Sequence, residues 1–245
     1  MTTGFVRASL RLLGVQAAWN YERMTGLGMG YAAEPLLEDL KSADPARHAE
    51  AQIRSAEYFN SHPYLAGLAL SALVRAEYDL VPGPQVARLR TALTSPLGAL
   101  GDQFFWAGLV PAVMAAGIVA VVYGAGIWAL LAAVLGYNVC RVATGVWALR
   151  TGLAHGAKVG GAIGSSWLPA AAQRIGLLAG LLVGIALPLA SVWLLQSEHA
   201  WELPVAAGTI TVGLVAAWTL GPRTNAVRFG LAAIGLAALL AWGLP

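Results

Sequence analysis

Charge is the scarcest ingredient of this chain. Only 11% of its 245 residues are Asp, Glu, Lys or Arg, against roughly 25% in an average soluble domain, which excludes an ordinary soluble globular protein. The deficit is uneven: residues 1–101 hold 18 of the 27 charges and residues 102–245 hold nine, so a polar part leads into a membrane part. Cysteine is almost missing. The lone Cys140, set in an apolar run, excludes a disulfide framework, a four-cysteine zinc site and a cysteine-ligated iron–sulfur cluster. His48, His62, His155 and His199 lie too far apart for metal-ligand spacing, and no cofactor is expected. Basic runs are also lacking. The 13 Arg and two Lys are dispersed, so the net charge of +3 does not mark a nucleic-acid binder, which needs its cations on one face. Arg7 and Arg11 interrupt the apolar residues before Asn20, so no cleaved signal peptide is expected and the N-terminus should be retained.

What is present is long apolar sequence. Residues 104–123 carry no charge, enough for about 30 Å of helix at about 1.5 Å per residue. Further charge-free stretches cover 124–140, 175–196, 203–222 and 229–245. The second should continue past Arg141 to about Leu149, and the last is short for a full crossing. Four or five hydrophobic helices are expected. Lys and Arg collect on the cytoplasmic side of membrane proteins. Segment 141–174 holds Arg141, Arg150, Lys158 and Arg174 without an acid, and link 222–228 holds Arg223 and Arg228. Link 197–202 holds only Glu198, His199 and Glu202. Segments 150–174 and 222–228 are therefore expected in the cytoplasm, the 123–126 tip outside, the N-terminus inside and the C-terminus outside.

In the polar part Val6, Leu10, Leu13, Ala17, Tyr21 and Met24 recur at helical spacing, with Arg7, Arg11 and Glu22 off that face. This pattern predicts an amphipathic helix, lying in the membrane interface, on a partner's helices or against an ordinary core. Gly26, Gly28 and Gly30 interrupt it, and 34–45 reads as a charged linker in which Pro35 opens a short helix. Asp44 followed by Pro45 predicts a second helix start, running to about Phe59. The run 60–63 closes it. Residues 64–74 are apolar but too few to span, which fits a re-entrant or interfacial segment. The expected fold is an all-α integral membrane protein: N-terminal amphipathic and re-entrant helices followed by four or five hydrophobic helices. Residues 1–101 form the cytoplasm-facing part and 102–245 the transmembrane part.

Three clusters combine polar residues with glycine or proline. The first is Gln16, Trp19, Asn20, Tyr21, Glu22, Arg23, Met24 and Gly26, whose consecutive side chains point all round a helix, so some meet a partner, a head group, a ligand or solvent. The second is Phe59, Asn60, Ser61, His62, Pro63 and Tyr64, able to bind sugar hydroxyls or to satisfy its own turn. No nearby serine, cysteine or carboxylate pairs with His62 at a recognisable catalytic spacing, so a hydrolase triad is not supported. The third is Ser95, Pro96, Leu97, Gly98, Ala99, Leu100, Gly101 and Asp102. Asp102 there either caps a helix start or marks a pathway or binding site. Gly160, Gly161 and Gly164 follow no strand, so a phosphate loop is not supported.

Taken in order, these clusters, with Gly28, Arg47 and His48 between the first two and Phe105 and Trp106 after the third, resemble the IID component of the mannose/fructose/sorbose family of bacterial sugar phosphotransferase systems. The likeness covers roughly 10–150. It implies a subunit that forms a hexose permease in the bacterial inner membrane with a IIC-type partner, in contact with membrane lipid, while IIA and IIB carry the phosphoryl group. His48 and His62 are then not phosphoryl carriers, and no catalytic residue is expected. The substrate or partner interface expected from the clusters is Asn20, Tyr21, Glu22, Arg23, Asn60, His62, Pro63, Gly98, Gly101 and Asp102. The sequence departs from the family's usual Leu-Met-Gly-Pro-Leu block, reading Leu93, Thr94, Ser95, Pro96, Leu97. A non-transporting scaffold or regulatory subunit of the same descent is the alternative.

Overall fold

The computed structural model describes residues 4–194. The hydrophobic stretches at 203–222 and 229–245, and the links at 197–202 and 222–228, lie outside the described residues. Those described form helices and turns without a β-strand: α1 (Phe5–Leu12), α2 (Gly26–Ala43), α3 (Pro45–Ser55), α4 (Ala66–Tyr78), α5 (Gly83–Gly101), a π-helical segment (Asp102–Leu109), α6 (Val110–Val122), α7 (Gly126–His155), a 3-10 turn (Gly156–Lys158), α8 (Val159–Gly164) and α9 (Trp167–Leu194). Residues up to Ile185 make one compact unit, and a second begins at Ala186.

Three helical runs are long and apolar enough to cross a membrane: Gly83–Val122, Gly126–Gly164 and Trp167–Ala190. They overlap the first three hydrophobic stretches read from the sequence, 104–123, 124–140 and 175–196. The first is longer than expected because α5, the π segment and α6 form one rod. At the tip between the first two, Gly124 and Gly126 take positive φ.

The core of the first unit is α4. Up to Val74 it is apolar and buried all round, with Ala66 and residues 68–74 each at most 4% exposed. Such a helix belongs inside a protein. It packs on α7, α2 and α5. Its polar exception, Ser71, donates to the Gly67 carbonyl at 2.7 Å. At its far end Glu77, 3% exposed, binds Arg47 at 2.9 Å and Arg54 at 2.8 Å, which ties α3 to α4. Removing one partner of such a buried pair costs about 3–5 kcal/mol. The start of α3 follows expectation: the Asp44 side chain accepts the Arg47 N–H at 3.0 Å, with Pro45 in the first turn. The helix ends at Ser55 rather than near Phe59.

The N-terminal region departs from the sequence reading in two ways. First, α1 stops at Leu12 and turns replace the helix up to Asn20. Its arginines face the protein: Arg7 pairs with Glu38 at 2.8 Å and Arg11 with Glu34, both on α2. The apolar stripe read from the sequence points outward, with Val6, Leu10 and the following Leu13 exposed, while Phe5, Ala8 and Leu12 face the core. Second, α2 runs unbroken through Gly30 and Pro35, where breaks and a linker were expected. Proline removes the N–H that would serve the carbonyl four residues earlier. That carbonyl, of Tyr31, instead accepts from Arg11 Nη1 at 2.7 Å. The glycines are contact points rather than breaks: a Cβ at Gly28 would lie 2.0 Å from the Val15 carbonyl oxygen.

Candidate substrate and partner site

The three sequence clusters are drawn into one chain of contacts near the start of the π segment. The first folds as a turn. Asn20 Oδ1 accepts from the backbone N–H of Glu22 at 3.1 Å and of Arg23 at 2.9 Å, a local cap for which asparagine is suited. Met24 takes φ of 51°, and the chain then joins the second cluster. Phe59 N–H donates to the Arg23 carbonyl at 3.3 Å, and Thr25 N–H and Oγ1–H donate to the Phe59 carbonyl at 3.0 and 2.8 Å. Phe59 is fully buried.

Side chains of the first cluster stand in the open. Tyr21 is exposed and meets Trp19 edge-on at 4.8 Å. Arg23 reaches the Ala56 carbonyl at 3.3 Å. Glu22 is exposed and makes no ion pair among the described residues.

His62 is the pivot of the second cluster. It is 1% exposed, stacked on Phe105 at 5.0 Å and 10°, with Tyr64 at 4.9 Å and Trp106 at 4.8 Å around it. Nδ1 accepts the Tyr64 N–H at 3.3 Å, which assigns the ring proton to Nε2. Nε2 is buried and meets no partner. Burial lowers the imidazole from its ordinary 6.5 to about 4, because removal from water penalises the charged form. His62 is therefore a neutral N–H donor at neutral pH. Pro63 beside it is buried and Asn60 exposed.

Gly101 joins the third cluster to the second. A Cβ there would lie 2.2 Å from His62 Cβ, so only glycine lets α5 close on the imidazole. Gly98 faces Ser61 more loosely, at 3.9 Å. Asp102 corrects the capping alternative. The rod continues through it with φ −62° and ψ −44°, the residue that precedes the π segment is Gly101, and among the described residues the Asp102 carboxylate accepts no backbone N–H. Asp102 is exposed, as is Trp106 one turn further on.

Sequence reading missed residues that frame this site. Phe105 supplies the stacking face for His62. Tyr137 donates to the Tyr64 hydroxyl at 3.3 Å, and Arg141 lies over the Tyr64 ring at 4.5 Å. A signal for Arg141 existed, as the one charge between Asp102 and Arg150. Arg90 carried none: it is 6% exposed and donates to the Arg54 and Glu57 carbonyls at 2.6 and 3.3 Å. Among the described residues no group of three His, Cys, Asp or Glu side chains can hold a metal ion.

Among the described residues, helices without a strand, three of them long and apolar enough to cross a membrane, with a polar cluster around a buried imidazole at a π-helical joint, are the architecture of an all-helical membrane protein. The chain belongs to the mannose/fructose/sorbose family of phosphotransferase IID components, whose family model matches residues 2–193. It is 25% identical over 185 residues to the PTS system mannose-specific EIID component of Escherichia coli K12, covering 74% of this chain and 64% of that protein. The chain thus spans just under two thirds of that relative. Against the fructose permease IID component of Bacillus subtilis it is 24% identical over 98% of this chain and 85% of the other. Among solved structures, one titled "Structure of membrane protein" has the same fold, with TM-score 0.73, 20% identity and coverage of 98% and 97%. A second, with TM-score 0.59, 19% identity and the same coverage, is a chain of the cryo-EM structure of the mannose transporter ManYZ with microcin E492.

Proposed function

We propose that this chain is a membrane subunit of a sugar-transporting phosphotransferase permease, acting with a IIC-type partner to move a hexose inward for phosphorylation by IIB, which IIA supplies. The observation that carries this reading is the contact chain from the Asn20 turn through Phe59 and His62 to Gly101, within a chain of the IID family. Asn20, Tyr21, Glu22, Arg23, Asn60 and Asp102 form the surface for sugar or partner, and His62, Pro63, Gly98 and Gly101 shape it from within. The exposed Asn60 and Asp102 offer an amide and a carboxylate to hydroxyls, and Glu22 offers an unpaired charge to the partner. The closed cage around His62 supports leaving phosphoryl transfer to IIA and IIB.

In this reading the protein is multi-pass in the bacterial inner membrane, with the N-terminus and residues 1–101 on the cytoplasmic side. The outward apolar face of α1 supports its lying against lipid, and α4 is the re-entrant element. Co-expression with the IIC, IIB and IIA proteins encoded beside it tests the function. Candidate hexoses should be taken up and phosphorylated only when this chain is present. Undiminished uptake in cells lacking this subunit alone would refute it.

A further inference from the structure

Arg141 has no counter-charge. Residues 103–197 contain no Asp or Glu, and among the described residues no carboxylate pairs with it; the acids nearest α1, Glu34 and Glu38, are taken by Arg11 and Arg7. Its Nη2 donates to the Leu13 carbonyl at 3.3 Å, just beyond the end of α1, where helix carbonyls supply about half an elementary negative charge at most. Its Nε is buried with no hydrogen-bond partner. Buried donors on a cation are among the costliest to leave unmade.

Beside Arg141 lies a cavity of about 110 Å³ between α1, α4 and α7, walled by Leu10, Leu13, Tyr64, Val142 and Val146. Apart from Arg141, its polar side chains are Ser9, whose hydroxyl already donates to the Phe5 carbonyl at 2.9 Å, and Tyr64, held by Tyr137. The site thus offers one cation and apolar walls. A small soluble anion would gain one charge contact and lose its hydration. A molecule with one anionic group on a hydrocarbon chain satisfies both features.

The position along α7 agrees. Ile127, Trp128, Leu131, Val134, Leu135 and Val139 are exposed, whereas Thr144, Ala148 and Leu149 are buried. Arg141 stands at the change, fifteen residues from Gly126, or about 22 Å. In a hydrocarbon core of about 30 Å this lies within about 8 Å of the opposite boundary, a depth that a long arginine side chain bridges to a head group.

We propose that this cavity is a specific phospholipid site, with Arg141 holding the lipid phosphate and an acyl chain lying against Leu10, Leu13, Val142 and Val146. It rests on the membrane location of the chain and not on transport. The test uses the full chain purified from phosphatidylcholine–phosphatidylglycerol membranes, with retained lipid counted by native mass spectrometry during stepwise delipidation. Wild type should keep one phosphatidylglycerol, and Arg141→Gln should weaken retention about tenfold or more, the loss expected for one charge-assisted contact. Arg141→Lys should restore most of it. Val146→Trp, which fills the cavity and leaves the charge, should also expel the lipid. Helical circular dichroism identifies folded variants, and if Arg141→Gln does not fold, Val146→Trp decides. Equal retention in wild type and folded variants would overturn the site. Displacement by inorganic phosphate would replace it with a soluble-anion site, and crosslinking of position 141 to a carboxylate of a co-purified IIC-type partner would assign the cation to that interface instead. Uptake is not read, so this inference and the transport reading fail separately.

Discussion

The imidazole of His62 lies flat on the ring of Phe105, with 5.0 Å between centroids and 10° between planes. Residues 43 positions apart in sequence thereby fix the polar break to the first membrane rod, and Gly101 makes the approach possible.

That burial has a pH signature. With the folded imidazole lowered to about 4 from 6.5, the unfolded chain binds more protons between those values, so stability rises with pH there. Stability should be full above about pH 6.5 and fall by about 2–3 kcal/mol as pH drops towards 4. Thermal melts of the detergent-solubilised protein across this window check it. His62→Phe should flatten the curve; an unchanged slope would show that His62 is not the titrating group.

Gly101 and Gly98 should respond oppositely to alanine. At Gly101 the new methyl meets His62 Cβ at 2.2 Å and Cγ at 2.4 Å, and overpacking of this kind costs about 1–3 kcal/mol. At Gly98 the nearest atom is at 3.9 Å, so alanine should be neutral or stabilise the helix by up to about 1 kcal/mol. Paired melting curves decide, and equal losses at both sites would contradict the packing.

Asp102 caps nothing, so Asp102→Ala and Asp102→Asn should each change stability by about 0.5 kcal/mol or less. If its carboxylate serves the sugar or the moving interface, both variants should assemble and fail in uptake. An Asp102→Asn complex that transports at the wild-type rate would leave the carboxylate without a role.

Arg11 and Pro35 should be energetically coupled. Arg11→Met removes the donor to the Tyr31 carbonyl that Pro35 cannot serve, at a cost of about 1 kcal/mol, the net worth of one hydrogen bond at an exposed carbonyl. In a Pro35→Ala background the helix's own N–H returns and the cost should shrink by about 1 kcal/mol. A double-mutant cycle in thermal stability measures this, and additive losses would refute it.

This coupling also explains what could be read in the sequence. Asp44 and Pro45 announced α3 because capping is local chemistry, and the break at 60–63 was legible for the same reason. Charge-free runs located three membrane helices because lipid imposes length. Pro35 misled because its rescue comes from Arg11, far away in sequence. Gly28 looked like a break because its true partner, the Val15 carbonyl, appears only after folding. At Asp102 local rules favoured a helix start, yet the rod continues through it. The candidate clusters were visible as composition; their junction through Phe59, His62 and Gly101 was not, since Phe105 and Gly101 meet the imidazole only across tertiary space.

The π-helical stretch Asp102–Leu109 acts as a phase offset within a 40-residue rod. Each α-helical residue advances the face by about 100°, so the wider turns aim α6 in a direction that the α5 pattern would not project. The buried stripe of Val86, Arg90, Leu93 and Leu97 on α5 and that of Ala112 and Ala115 on α6 are thus set independently, as on two cams sharing one shaft. Sliding such an offset by one residue would rotate the side chains around Asp102 while both ends of the rod keep their places. Deleting one residue within 102–109 should relax the wide turns to α-helix and lock the phase, so that engineered cysteine crosslinks stay on the present face of α6, whereas a deletion within α6 itself should turn the residues beyond it by about 100°.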